Sequence, residues 1–141
     1  MSHQNFKTVF FCKSNQDKVL VYDYLINEVP KYTANRIVSQ MILLEKSDVI
    51  KPGLLKVAKF QNGMLKIKIK DGNNNCRIYF IIIDNVIYYL YAYNKKTQKT
   101  HENIKVKINN LKFELECQIK EKFKYLNDYL DLNKLIDDKF K

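Results

Sequence analysis

The sequence predicts an α+β domain: a small curved antiparallel sheet, an N-terminal helix pair packed on one face, and a long C-terminal helix. Three observations carry this. Apolar residues recur at helical spacing before residue 46 and again after residue 103. Between these stretches the period changes to two, with β-branched and aromatic residues concentrated there. Turn residues mark the changes of period. Long-range order follows from short connections, so the helices are expected on one face of the sheet.

Each element has its own reason. Lys7–Lys13 (KTVFFCK) reads as a first strand. Asp17–Asn27 reads as a helix, with Val19, Leu20, Tyr22, Leu25 and Ile26 forming its stripe, and Pro30 stops it. Thr33 is the N-cap expected for a second helix, Ala34–Glu45, with Ile37, Val38, Met41, Ile42 and Leu44 inward. Lys51-Pro52-Gly53 is a turn. In Met64–Lys70, Leu65, Ile67 and Ile69 alternate with Lys66, Lys68 and Lys70, so one strand face is apolar and the other cationic. Asp71–Asn75 is a hairpin loop by composition, and Asp84-Asn85 a two-residue turn between strands Cys76–Ile83 and Val86–Tyr93. Ile104, Ile108, Leu111, Leu115, Ile119, Phe123, Leu126 and Leu130 step by three or four, which predicts one long amphipathic helix. No repeat or linker divides the chain, so residues 1–141 are expected to form a single domain, with 111–141 a helical extension.

Composition narrows the function. The chain of 141 residues has 25 Lys+Arg against 15 Asp+Glu, a net charge of +10. Residues 51–110 hold twelve bases and three acids, net +9, while residues 1–50 are net +1 and residues 111–141 are neutral. Excess charge confined to the middle implies an anionic partner. No signal-peptide core and no unbroken membrane span are present, because Asp84-Asn85 interrupts the most apolar stretch. Three widely spaced cysteines and two histidines make neither a disulfide framework nor a zinc pattern. A cytoplasmic protein without metal or cofactor is the expectation.

Four features could carry chemistry. Lys66, Lys68 and Lys70 project from one strand face about 7 Å apart. Their repulsion lowers a lysine's proton affinity and makes it usable as a base or acid, although a solvated lysine face is the commoner meaning of such a strand. Arg77 is one of two arginines in a chain that otherwise uses lysine, and the hairpin sets it beside the lysine strand. Its planar fork suits phosphate, unless Asp71 or Asp84 pairs with it. Lys95, Lys96 and Lys99 precede the final helix, where positive charge opposes the helix dipole unless an anion binds. His101 could move protons, and Tyr93 with its neighbouring tyrosines could stack on bases or simply pack.

Gly63–Ile69 (GMLKIKI), Arg77-Ile78-Tyr79-Phe80 and Tyr93–Thr100 (YNKKTQKT), in that order, resemble the RelE/HigB superfamily of toxins, most closely its phage-derived HigB-like branch. The resemblance covers roughly residues 5–110. It implies a RelE-like fold and the toxin of a type II toxin–antitoxin system. It also implies a ribosome-dependent mRNA endoribonuclease (mRNA interferase) acting by metal-independent attack of the ribose 2′-hydroxyl. By the same resemblance Lys66 and Lys68 match the basic strand pair, as base and charge stabiliser. Arg77 matches the phosphate clamp, and Lys96, with Lys95, the basic position after the last strand, as acid or clamp. Lys70, Tyr93, Lys95, Lys99 and His101 fall where RNA would be bound. Two departures stand out: Lys66 replaces the branch's acidic residue, and Tyr93 its phenylalanine. The implied partners are a cognate HigA-like or RelB-like antitoxin, the ribosome and mRNA. Other readings are a non-catalytic ParE-like gyrase poison of the same fold, a basic nucleic-acid-binding module, or an adaptor whose tail helix binds a partner.

Overall fold

The alternation of apolar residues is realised as a sheet with a core on each side. The computed structural model describes residues 5–12, 19–96, 102–121 and 130–131. Its elements are β1 (Lys7–Phe10), α1 (Leu20–Asp23, continuing as a π-helical turn over Tyr24–Glu28), α2 (Lys31–Glu45), β2 (Val57–Lys59), β3 (Leu65–Asp71), β4 (Asn74–Ile83), β5 (Val86–Asn94), α3 (Glu102–Lys120) and β6 (Leu130–Asp131). The fold is α+β and RelE-like. The strands form one six-stranded sheet in the order β2-β3-β4-β5-β1-β6.

The sheet is mixed where an antiparallel one was expected. β2 to β5 form an antiparallel run, but β1 lies parallel to β5, with Lys7 opposite Val86 and Phe10 opposite Tyr89. Thr8, Val9, Phe10 and Phe11 are all buried, because β1 sits inside the sheet and is covered on both faces. A strand so far in sequence from its neighbours carries no hairpin signal for its direction. β2 is too short for periodicity to find. β6 closes the free edge of β1, with Val9 opposite Asp131 and Phe10 opposite Leu130. Leu130 therefore lies in a strand and not at the end of the C-terminal helix: unpaired edge amides and carbonyls recruit a strand there. That helix runs without a break from Glu102 to Lys120, across residue 111. Residues 122–129 and the Leu132–Phe140 continuation lie outside the described residues.

The helices are also divided between two faces. On one, Val21, Tyr24, Leu25, Ile37, Val38, Met41 and Leu44 pack on Ile67, Ile69, Ile78, Phe80, Ile87 and Tyr89. On the other, Ile108, Leu111 and Leu115 of α3 pack with Phe60, Met64, Tyr79, Ile81, Tyr88 and Leu90. The expected single helix-bearing face is thus two. The cause lies in β4 and β5, whose odd and even positions are both apolar and leave neither face fit for water.

Local chemistry refines three boundaries. Asp17 and Lys18 lie outside the described residues; from Leu20 the first helix takes four α-helical residues before the π turn, which changes its register and buries Val21 and Tyr24 in place of a simple stripe. α2 begins at Lys31 with Pro30 in the N-cap position, so Thr33 is not a cap. Its Oγ1 instead donates to Asp71 Oδ2 at 2.6 Å, joining α2 to the β3–β4 hairpin. That hairpin turns in two residues, since Asp71 pairs with Asn74, and Gly72 takes φ 61° at the first turn position. No helix among the described residues is long and apolar enough to cross a membrane.

The Asp84-Asn85 turn is as expected, with φ of 51° and 63° at two residues that are not glycine. Left-handed backbone is unfavourable for residues with a Cβ, least so for Asp and Asn. Asn85→Gly is therefore expected to stabilise the fold by up to about 1 kcal/mol, read as a higher urea midpoint with an unchanged slope. A lower midpoint would show that the Asn85 side chain contributes more than its backbone strain costs.

Candidate functional site

The side of the sheet that α3 covers is only partly covered. Cross-strand register lays out what remains in rows. Lys68 of β3 stands opposite Arg77 of β4, which stands opposite Tyr93 of β5. One row along, Lys66 is opposite Tyr79, which is opposite Tyr91. Past the end of β5, Lys95 N donates to Asn75 O at 2.8 Å, extending the ladder so that Lys95 lies by the same corner. A bulge between the Tyr79 and Phe80 pairings inserts Leu90, so Leu90 and Tyr91 both turn to the α3 side. The bulge brings Tyr91 and Tyr93 onto the same face as Arg77.

Lys66 is the most constrained of the cations. It is half-buried, with Nζ 5.8 Å from the Phe60 ring centroid and 6.0 Å from that of Tyr79. Those two rings meet edge to face at 4.6 Å. Tyr79 in turn stacks on Tyr93 at 6.1 Å, so the wall behind the cations is aromatic. Burial lowers the proton affinity of Lys66, and the charges of Lys95, Lys68, Arg77 and Lys105 lower it further. Lys95 is lowered by the same causes, burial first, then Arg77, Lys68 and Lys105. The aromatic faces act the other way, since a ring quadrupole favours an ammonium. The net direction is down, so a larger share of Lys66 is neutral amine than in free lysine.

Arg77 is held by neutral oxygens. Its NH1 donates to Asn75 Oδ1 at 2.7 Å and to Cys76 O at 3.0 Å, while its Nε is buried without an acceptor among the described residues. Asp71, the carboxylate that might have paired with it, is 3.3 Å from Arg36 and accepts from Thr33. Asp84 is at the opposite end of β4. Neither carboxylate pairs with Arg77.

Behind this corner, on the other face, Tyr24 OH donates to Asn94 Oδ1, and Asn94 Nδ2 donates to Asn74 Oδ1 at 3.1 Å. The π turn of α1 delivers that hydroxyl, and the contact pins the end of β5 just before Lys95. Burial, then the neighbouring Cys76 thiol, push Tyr24's hydroxyl pKa well up, and burial raises that of Cys76. Both stay protonated and structural.

The sequence-predicted residues separate accordingly. The structure brings together Lys66, Lys68, Arg77 and Lys95, with Tyr93 half-buried beside them. Lys70 continues the row on β3 and is exposed. Lys96 is exposed and is not among the cations whose charge acts on Lys66 or Lys95; the chain turns Lys95 inward in its place. Lys99 and His101 lie outside the described residues. Lys105 was missed. It is half-buried on the first turn of α3, its charge reaches both Lys66 and Lys95, and it is 3.3 Å from the exposed Glu102. Its position beside Ile104 and Ile108, on the edge of the helix's apolar stripe, was the available signal. Among the described residues no three His, Cys, Asp or Glu side chains gather as a cation site. The arrangement can hold an anion between ammonium and guanidinium groups, and two of its amines, Lys66 and Lys95, have lowered proton affinity.

No curated protein matches the chain. The profile of the phage-derived protein Gp49-like (DUF891) family matches residues 25–112, which is more than half of the chain and runs from the π turn of α1 into α3. Every described member of the cation cluster falls inside that span. The protein is a member of the Gp49-like family, a phage-derived, toxin-like family of RelE type.

Proposed function

We propose that this protein is the toxin of a toxin–antitoxin pair and cuts messenger RNA on the ribosome. One observation carries the reading: Lys66, half-buried and lowered in proton affinity, shares a sheet face with Arg77, which no carboxylate neutralises among the described residues. A base and a phosphate clamp are what transesterification of RNA needs.

The chemistry closes without a hydrolytic water. Neutral Lys66 Nζ takes the proton of a ribose 2′-hydroxyl. The 2′-oxygen bonds to the adjacent phosphorus, and the bond from phosphorus to the 5′-oxygen breaks. Arg77 and Lys68 hold the non-bridging oxygens, whose negative charge grows in the five-coordinate transition state. Lys95, a stronger acid than free lysine because its own affinity is lowered, protonates the departing 5′-oxygen, with Lys96 beside it on the surface. The products are a 2′,3′-cyclic phosphate and a free 5′-hydroxyl. Lysine is weakly matched to acid work at neutral pH, so the ribosome would supply positioning that the protein alone does not. In this reading the antitoxin is HigA-like or RelB-like and shields the cationic face.

The deciding experiment is brief induction in cells followed by mapping of message ends. New 5′-hydroxyl ends within translated messages are expected; intact messages accompanied by DNA breaks would remove this reading and favour a gyrase poison. Lys66→Arg keeps the charge but supplies no base, and is expected to slow cleavage by about 10²–10⁴-fold with little loss of binding. The pH profile gives a further check. Removing a positive neighbour raises the proton affinity of Lys66, so Lys105→Gln is expected to move the rising limb of the rate to higher pH. A limb that stays in place or moves to lower pH would mean that another group is the base.

A further inference from the structure

Both arginines of this lysine-rich chain line one cleft. Arg36 comes from α2 and Arg77 from β4, 41 positions apart in sequence, and with Lys56, Lys68, Lys70 and Asn75 they enclose a depression of about 410 Å³ at the β3–β4 end of the sheet. Lys56 leads into β2 directly opposite Lys68, whose amide donates to Lys56 O at 2.9 Å, so the row Tyr93–Arg77–Lys68 continues to the sheet edge as Lys56. Five of the six lining side chains are cations. The nearby carboxylate is Asp71, which Thr33 and Arg36 hold, and Arg36 also donates to Lys70 O at 3.2 Å. Asp71 offsets one charge and fixes the guanidinium over the cleft; four positive charges remain.

Lys66 and Lys105, which shape the proposed reaction centre, do not line this cleft; Lys68 and Arg77 border both. Neighbouring positions on one strand face are about 7 Å apart, of the order of the spacing between adjacent phosphates in an extended single strand. We propose that the Arg36–Lys56 cleft is a second phosphate site, which takes the RNA phosphate next to the one being cut. The substrate is then a single-stranded polynucleotide gripped through at least two consecutive phosphates, running from the aromatic wall by Tyr79 to the edge of β2. The inference rests on the RNA reading above for the identity of the strand. It adds two residues, Arg36 and Lys56, to which that reading gives no role.

The test uses the full chain and two probes that 2′-hydroxyl chemistry cannot cut. One is a fluorescent single-stranded oligonucleotide with 2′-O-methyl riboses throughout, followed by anisotropy at several salt concentrations. The other is a 2′-O-methyl dinucleoside monophosphate, with a single phosphate, followed by NMR titration. Lys56→Gln is expected to weaken the oligonucleotide about threefold and to reduce the salt slope by about 0.7, the value for one contact on a single strand. Lys56→Gln with Arg36→Gln is expected to reduce the slope by about 1.4 and the affinity about tenfold. Neither variant should change binding of the one-phosphate probe. Unchanged oligonucleotide affinity and slope would overturn the proposal, as would equal weakening of both probes. Arg36→Lys and Arg36→Gln, each made alone, separate charge from the tie to Asp71: binding retained in Arg36→Lys with a lowered melting midpoint supports the phosphate role, and binding lost as fully as in Arg36→Gln refutes it for Arg36. Uncut messages in induced cells, with the two-phosphate grip intact, would remove the nuclease reading and leave the second site standing.

Discussion

Crowding of like charge on one sheet face is the constraint around which this structure is arranged. The charges of Lys68, Arg77 and Lys105 bear on Lys66 and Lys95, and among the described residues the carboxylate paired with this set is Glu102, exposed at the start of α3. Such a set destabilises a fold unless something larger holds it. Here the holding comes from the two cores. α1 and α2 bury one side of the sheet and α3 most of the other, so β3 and β4 cannot part to relieve the repulsion. Apolar residues at both odd and even positions of β4 and β5 lock the register, since a one-residue slip would exchange the two packed faces.

Much of this is legible in the chain because local patterns specify it. The alternation in Met64–Lys70, the Asp84-Asn85 turn and the stripe from Ile104 to Ile119 each imply a face, and each face is as the spacing requires. Those same patterns put Lys66, Lys68 and Arg77 together, because a hairpin is short and its register follows from its turn. What the chain does not show locally is where distant pieces meet. The parallel entry of β1 and the β6 cap depend on partners more than 70 residues away, and the placing of α3 against the far face depends on strands outside its own periodic stretch. The choice between Lys95 and Lys96 is of another kind. It turns on which of two adjacent residues the ladder past Asn94 directs inward, and composition does not distinguish them.

The two arginines show how few exceptions to a compositional habit can be informative. Lysine is a hydrated point charge on a flexible stem, and its proton affinity responds to burial and neighbours; arginine keeps its charge and fixes its donors in a plane. On this face the half-buried positions where lysine is lowered are Lys66 and Lys95, while arginine occupies Arg77, where neutral oxygens orient the fork. Proton-transfer chemistry needs the first kind of group and phosphate orientation the second. On the proposed reading, their arrangement in adjacent rows would be a division of labour that an all-lysine face would lack.

A site built to bind an anion meets a difficulty when its base is a lysine. The bound anion raises the lysine's proton affinity and so works against the deprotonation that the reaction requires. A phosphodiester, however, brings only one negative charge. Four neighbouring cations bear on Lys66, so one bound phosphate, or two, offsets only part of their charge. On the proposed reading, that remaining positive charge is what keeps Lys66 usable as a base in the occupied site. Burial beside Phe60 and Tyr79 adds to this, because desolvation is unaffected by the sign of the ligand. On that reading Lys68, Lys95 and Lys105 would serve the proposed reaction as well as the grip. Replacing them by neutral residues would impair proton transfer even where the phosphate still bound.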